Sequence, residues 1–135
     1  MIIEKLHIPS TPEQLSLVDE VAQKAAKQMG FNKEQSDDVS IAVTEIVNNA
    51  IMHGNLADPK KEVLITFRKL KNSLKIQIQD EGEGFKPDEV EDPTKEENIH
   101  KFKGRGIFIV KHLMDSVKFK HSREGMIISL EKRKH

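Results

Sequence analysis

The sequence predicts an α/β fold, a two-layer sandwich in which a mixed, mainly antiparallel sheet of about five strands packs against three helices. Two observations predict this class. Apolar residues recur at helical spacing in three stretches, and they alternate loosely in five shorter ones. The order is strand, two helices, two strands, long loop, helix and two strands. A chain of 135 residues is long enough for a single domain, 1–135, and too short for two.

The chain begins with a predicted strand and a predicted helix. Residues 2–8 alternate loosely enough for a first strand. Residues 10–14 (Ser-Thr-Pro-Glu-Gln) are typical of a helix start, with a hydroxyl cap, a proline in the first turn and an acidic or amide residue near the capping-box position. Apolar side chains then recur at helical spacing over residues 15–29, and Gly30 ends the run.

A second helix and a hairpin follow. Asn32, with Gln35 three residues later, predicts a helix start, and apolar positions continue at helical spacing to about Met52. Residues 63–67 and 74–78 alternate loosely on either side of a polar turn, which predicts an antiparallel hairpin.

The C-terminal part of the chain starts with an unusual stretch. Residues 81–105 are charged, contain several glycines and prolines, and show hardly any apolar periodicity, so they predict a functional or mobile loop. Gly106 then begins a third predicted helix. Residues 116–121 and 126–131 predict two final strands, joined by a turn at residues 123–125.

Composition and charge exclude several classes of function. The 22 basic and 22 acidic residues cancel, and the lack of a basic stripe argues against a nucleic-acid binder. Residues 132–134 are basic and are interpreted as a solvated tail. No apolar run approaches the roughly 20 residues that span a bilayer, the N-terminus lacks a signal-peptide pattern, and there is no cysteine. We therefore expect a cytoplasmic protein that binds neither nucleic acid nor membrane.

The first cluster of candidate functional residues lies near the end of the second predicted helix. Glu45 and Asn49 are four residues apart and share a helix face. An amide oxygen can bind Mg²⁺, and a nearby carboxylate can take a proton from an attacking hydroxyl or water. His53 follows Asn49 by one turn and would lie near the same ligand or at the rim of the site. The alternative is a solvated helix face that ends at Gly54 as an ordinary C-terminal cap.

The second cluster, Asp80, Gly82 and Gly84, directly follows a predicted strand. Glycine at these positions would let a ligand approach the main chain, and the carboxylate at the end of the strand can accept a hydrogen bond from an amine. The alternative is an acidic turn. A calcium loop is excluded because the ligand spacing of an EF-hand and its closing glutamate are absent.

The third cluster begins the last helix and consists of Gly104, Arg105, Gly106 and Ile107. Backbone N–H groups at a helix N-terminus favour phosphate, and Lys103 adds positive charge nearby. The alternative is a flexible basic turn. The spacing is neither that of a Walker loop nor that of a full dinucleotide fingerprint.

In this order, the three clusters resemble the asparagine box and the two glycine boxes of the GHKL ATPases, the superfamily of gyrase, the heat-shock chaperone, histidine kinases and MutL. Within that superfamily, nearly the whole chain resembles the anti-sigma-factor serine/threonine kinases of the RsbW and SpoIIAB type. The resemblance implies the Bergerat, or histidine-kinase-like, ATPase fold. It is supported by Ala42, Glu45, Asn49 and Ala50 on the second helix and by Gly106, Ile107, Phe108, Leu113, Met114 and Asp115 on the third.

The resemblance implies a site for Mg²⁺ and ATP in which each residue has a defined role. Asn49 would coordinate Mg²⁺, and Glu45 would be the general base. Asp80 would bind the adenine amino group, with Gly82 and Gly84 shaping that part of the pocket. The other residues expected to contact the nucleotide are His53, Lys103, Gly104, Arg105, Gly106 and Ile107.

Two further features of the family concern the long loop and the last hairpin. Residues 86–103 resemble the ATP lid. Family members often carry a threonine after the glycine of the last hairpin, where it helps to hold adenine. Here Met126 follows Gly125, and Ser129 lies three residues further on, so one adenine contact lacks its usual residue.

Three hypotheses of function follow. The resemblance implies a homodimeric kinase that phosphorylates a serine or threonine of an antagonist (anti-anti-sigma) protein and sequesters a sigma factor. A second hypothesis is a nucleotide-binding interaction module without phosphotransfer, and the two differ at Glu45. A histidine-kinase catalytic domain is disfavoured because the chain contains no upstream dimerisation helix with a phospho-acceptor histidine.

Overall fold

A computed structural model describes residues 1–82, 105–122 and 125–134. These stretches contain five strands and three α-helices, and none of these helices is both long and apolar enough to cross a membrane. Their bounds are β1 (Ile2–Pro9), α1 (Leu15–Met29), α2 (Lys33–Asn49), β2 (Glu62–Lys69), β3 (Ser73–Gln79), α3 (Arg105–Leu113), β4 (Ser116–Ser122) and β5 (Gly125–Arg133).

The strands form one open sheet in the order β1-β2-β3-β5-β4. The registers place Ile78 of β3 opposite Ile65 of β2 on one side and opposite Ile128 of β5 on the other. The predicted fold class and the predicted hairpin are confirmed, with one refinement: all four pairings among the described strands are antiparallel. The crossover through α3 does return β4 parallel to β3, but β5 lies between these two strands.

One face of the sheet packs against the helices, and the side chains of the strands alternate accordingly. In β2, Val63, Ile65 and Phe67 are fully buried, whereas Thr66 and Arg68 remain at least partly exposed. Burying a side chain of this size contributes about 1.5–3 kcal/mol. The helices contribute Val18, Ala22, Ala25, Ala26, Met29, Val39, Ala42, Val43, Ile46, Val47, Ile107 and Val110 to the same core.

The boundary between α1 and α2 follows the local signals in the sequence. Gly30 ends α1 in the left-handed conformation, with φ 91°. Asn32 Oδ1 accepts the Gln35 N–H at 2.8 Å, and the Asn32 N–H donates to Gln35 Oε1 at 3.0 Å. This reciprocal pair confirms the predicted start of α2.

The hydroxyl cap predicted at residues 10–14 is wrong. The Thr11 side chain makes no capping hydrogen bond, and the chain forms a 3₁₀ turn at Pro12–Gln14 before α1. The Ser10 hydroxyl donates instead to the Lys61 carbonyl, at 2.7 Å. A contact with a residue so distant in sequence therefore replaces the local one.

The interpretation of residues 132–134 as a solvated tail is also wrong, because β5 extends to Arg133. Lys132 Nζ donates to the carbonyl of Leu113, the last residue of α3, at 2.6 Å and lies 3.6 Å from Asp38 Oδ2 on α2. A cation at a helix C-terminus is electrostatically favourable. Lys132 therefore fixes the end of α3 against α2.

The chain continues beyond the last α-helical residue of α2 as a π-helical turn, Ala50–Gly54. Two left-handed residues follow it, Leu56 (φ 52°) and Ala57 (φ 55°). Such conformations cost about 1–3 kcal/mol each in non-glycine residues and concentrate at functional sites, as π-helical turns also do. The end of α2 is therefore the part of the fold in which a site is most strongly indicated.

Candidate active site

A pocket of about 200 Å³ opens between the end of α2, the turn that follows it, the segment after β3 and the start of β5. Apolar side chains and a small number of polar groups form its walls, which is the usual composition of a small-molecule site. The lining residues are Asn49, Ala50, His53, Gly54, Leu56, Lys61, Asp80, Gly82, Met126 and Ile128.

Asp80 is the buried carboxylate of this pocket and directly follows β3; it is 8% exposed. Its Oδ1 accepts two backbone hydrogen bonds, from the N–H groups of Gly82 and Met126, both at 3.0 Å. Burial raises the pKa of the Asp80 carboxyl group, while the two backbone donors and the charge of Lys61 act in the opposite direction. The backbone thus fixes the orientation of a carboxylate that can accept a hydrogen bond from a ligand.

Three glycines lie close to Asp80, and a side chain at any of them would collide with Asp80 or with the main chain beside it. A Cβ at Gly54 would lie 2.1 Å from Asp80 Oδ2, and one at Gly125 would lie 2.2 Å from the Asp80 carbonyl oxygen. A Cβ at Gly82 would lie 2.6 Å from the carbonyl oxygen of Gly54. Gly54 does not have a positive φ, so its interpretation as an ordinary helix cap is wrong, and close contact with Asp80 explains the glycine.

Asn49 presents a buried amide with no protein partner. It is the last α-helical residue of α2 and is 8% exposed. Within the described residues, neither Oδ1 nor Nδ2 has a hydrogen-bond partner. Leaving such a group unpaired costs about 1–3 kcal/mol. A solvated helix face therefore does not account for Asn49, whereas a ligand that binds the amide would.

Glu45 lies one turn before Asn49 on α2, half-buried. It does not line the pocket. Instead it lies against the first turn of α3, where a Cβ at Gly106 would be 2.1 Å from Glu45 Oε1. The pocket and the start of α3 therefore lie against successive turns of the same helix.

The structure brings four of the predicted ligand residues together, because Asn49, His53, Asp80 and Gly82 all line the pocket. His53 is exposed. The side chain of Ile107 is only 1% exposed and belongs to the core, so a ligand could contact this residue only through its backbone. Gly84, Lys103, Gly104, the side chain of Arg105 and the expected lid, 86–103, lie outside the described residues.

Five lining residues were not predicted from the sequence as ligand residues: Ala50, Gly54, Leu56, Lys61 and Ile128. Leu56 and Lys61 lie between the predicted second helix and the predicted hairpin, where no apolar periodicity indicates which way a side chain points. Ile128 could have been predicted, because alternate residues of a strand share a face and Met126 occupies the position where relatives often carry an adenine-contacting threonine. Met126 itself has two roles, since its N–H binds Asp80 and its side chain lines the pocket.

The open antiparallel sheet, the three helices and the pocket at the end of α2 together define a two-layer α/β sandwich domain with a small-molecule pocket. The family profile described as the histidine kinase-like ATPase domain matches residues 8–132. The chain belongs to this family of nucleotide-using domains.

Two curated relatives are similar over most of their length. The serine-protein kinase RsbW of Oceanobacillus iheyensis is 29% identical over 134 residues, which cover 95% of this chain and 84% of the relative. The serine-protein kinase RsbW of Bacillus subtilis is 25% identical over 134 residues, which cover 95% of this chain and 83% of the relative.

Solved structures are similar in fold. The crystal structure of the RsbU and RsbW domains of a Mycobacterium tuberculosis protein matches with a TM-score of 0.69 at 17% identity. The match covers 97% of this chain and 32% of that protein. The catalytic domain of the histidine kinase ThkA matches with a TM-score of 0.58 at 14% identity, over 98% of each chain. These similarities establish the fold.

Proposed function

We propose that the protein is a Mg²⁺- and ATP-dependent serine/threonine kinase that acts as an anti-sigma regulatory factor. The unpartnered, buried amide of Asn49 beside the Asp80 pocket is the observation that carries the nucleotide part of this proposal. The names of the relatives, serine-protein kinase RsbW, support the kinase part.

The residues present fit Mg²⁺ and ATP. Asn49 offers a neutral oxygen that no described protein group occupies, and a Mg²⁺ ion that keeps phosphate oxygens and waters needs only one or two protein ligands. When bound, the ion would neutralise charge on the phosphates. Asp80 would accept a hydrogen bond from the adenine amino group, and the apolar side chains of Met126 and Ile128 would contact the ring.

The phosphate end of the nucleotide would lie toward α3. Backbone N–H groups in the first turn of a helix attract phosphate, and Gly106 there is close to Glu45. Glu45 would then take the proton from the attacking hydroxyl of the substrate. Arg105, Lys103 and the lid would complete this end of the site.

The proposed substrate is a serine or threonine of an antagonist protein, and the proposed target of sequestration is a sigma factor. We further propose a homodimer located in the cytoplasm. The two relatives named serine-protein kinase RsbW are matched over 84% and 83% of their length, which supports a serine as the phosphate acceptor. The antagonist, the sigma factor and the homodimer follow from the resemblance to kinases of the RsbW and SpoIIAB type.

The first test is titration of a fluorescent ATP analogue, with Mg²⁺ and then with EDTA. We expect saturable binding that weakens without Mg²⁺. Asn49→Ala should weaken binding in Mg²⁺ by roughly tenfold and leave binding in EDTA almost unchanged. The matched control is Asn48→Ala, the adjacent residue of α2, which does not line the pocket. Equal Mg²⁺ dependence in the Asn49 variant and the wild type would contradict the assignment of Asn49.

The glycine at residue 54 gives a second test of the pocket. Gly54→Ala forces a methyl group against Asp80, so we expect ATP affinity to fall by at least about tenfold. Gly30→Ala is the control, because its φ of 91° makes alanine costly to the fold, yet its Cβ would meet only the flexible Lys134 side chain. Both variants should lose thermal stability, but only Gly54→Ala should lose affinity. Unchanged affinity in Gly54→Ala would show that Asp80 does not bind the base.

A further inference from the structure

We infer that Asn55, which does not line the pocket, is a positioning residue that sets the base preference of the site by holding the main chain beside Asp80. The inference rests on the proposed function. Asn55 is fully buried, and its side chain makes three hydrogen bonds. Oδ1 accepts the Glu81 N–H at 2.7 Å, and Nδ2 donates to Ser10 Oγ at 2.8 Å and to the Glu62 carbonyl at 3.0 Å.

Asn55 connects the two walls of the pocket. One wall of the pocket is formed by β5 and the segment after β3, which are joined where the Asp80 N–H donates to the Met126 carbonyl at 3.1 Å. The other wall is formed by the turn after α2, and the Asn55 side chain on that turn accepts the next N–H of the first wall, that of Glu81. Asn55 is also the covalent neighbour of Gly54, which lies against Asp80 Oδ2. One residue therefore sets the distance between the turn after α2 and the carboxylate.

The orientation of the Asn55 amide is determined by its surroundings. The Glu62 carbonyl can only accept a hydrogen bond, so it must face Nδ2 and not Oδ1. The Ser10 hydroxyl donates its proton to the Lys61 carbonyl and therefore accepts from Nδ2. This leaves Oδ1 directed at the Glu81 N–H. The buried network thus runs from the end of β1 to the segment that carries Asp80.

Small displacements of this segment matter because the fit around Asp80 is tight. A side chain at Gly54 would collide with the Asp80 carboxylate, and one at Gly82 would collide with the Gly54 carbonyl oxygen. Without the Asn55 amide, the Glu81 N–H loses its buried acceptor, and the carboxylate is no longer held at a fixed distance from the turn after α2. We expect this substitution to weaken recognition of the base and to spare the contacts with Mg²⁺ and the phosphates. None of the three hydrogen bonds of the Asn55 side chain goes to Asn49 or to the start of α3, which would make those contacts.

The test compares affinity for ATP with affinity for inosine triphosphate, which carries a carbonyl oxygen in place of the adenine amino group. Both are measured by competition with the fluorescent analogue, in Asn55→Ala, Ser10→Ala and the control Ser73→Ala. Ser73 is 6% exposed and donates to Glu131 Oε2 at 2.7 Å, away from the pocket, so its loss lowers stability only. Thermal unfolding of each variant reports that stability.

We expect the preference for ATP over inosine triphosphate to fall by about tenfold in Asn55→Ala and by about threefold in Ser10→Ala, and to remain unchanged in Ser73→Ala. If Asn55→Ala does not fold, Ser10→Ala decides. Variants that lose stability but keep the preference of the wild type would give Asn55 and Ser10 a purely structural role and overturn the inference. A wild-type protein that binds neither nucleotide would instead contradict the proposed function.

Discussion

Asp80→Asn is expected to weaken ATP binding severely while leaving the fold intact. The amide oxygen of the introduced asparagine can still accept the two backbone N–H groups that Asp80 Oδ1 accepts now, from Gly82 and Met126. The second carboxylate oxygen, however, is replaced by an N–H₂ donor that faces the amino donor of adenine. A lost charged hydrogen bond and two opposed donors together should reduce ATP affinity by at least about 100-fold.

The same substitution should not lower stability at neutral pH. Burial raises the pKa of Asp80, so the folded protein holds this proton more tightly than the unfolded chain does. Ionising the group therefore costs folding free energy as the pH rises through the raised pKa, and the neutral amide avoids this cost. We expect the free energy of unfolding of Asp80→Asn to equal or exceed that of the wild type at neutral pH.

Competition binding and thermal unfolding of Asp80→Asn measure both effects. Asp58→Asn is the matched control, because Asp58 makes a turn hydrogen bond to the Lys60 N–H that an asparagine oxygen can also accept. The new donor should also shift the preference toward inosine triphosphate. ATP affinity within a few-fold of the wild type would remove Asp80 from base recognition.

The parts of the fold that could be predicted from the sequence depend on local physics. Local contacts determine the boundary between the first two helices. Gly30 ends α1, and the reciprocal hydrogen bonds of Asn32 and Gln35 begin α2. The alternation in β2 and β3 depends only on which side of a strand each residue faces. Such signals require no knowledge of distant parts of the chain.

The errors and omissions depend on contacts between residues far apart in sequence. A hydroxyl cap was predicted within residues 10–14, but the Thr11 side chain makes no capping hydrogen bond and the Ser10 hydroxyl donates to the Lys61 carbonyl. Lys132 was interpreted as tail, but it binds the end of α3. Gly54 follows the second helix in the sequence as a helix cap would, but its contact with Asp80 explains the glycine. The role of the Asn55 side chain could not be predicted for the same reason, since its three hydrogen-bond partners lie outside the turn that carries it.

Glu45→Gln is expected to remove phosphotransfer while leaving ATP affinity within a few-fold. Glutamine has the shape of glutamate, so the contact with Gly106 at the start of α3 is retained. It cannot take a proton, and loss of a general base typically reduces the rate by about 10²–10⁴-fold. Binding should be spared because Glu45 does not line the pocket that would hold the base.

The measurement is transfer of labelled γ-phosphate from ATP to a serine or threonine of the antagonist, which is first identified as the protein that the wild-type chain phosphorylates. Glu34→Gln, an exposed residue in the first turn of α2, makes the same chemical change away from the pocket and should transfer phosphate normally. A normal rate in Glu45→Gln would mean that another group accepts the proton. If the wild type binds ATP but transfers no phosphate, the alternative function is favoured, a nucleotide-dependent interaction module. In that case the Asp80 pocket and Asn49 would serve only to couple ATP binding to the shape of a surface that binds a partner protein.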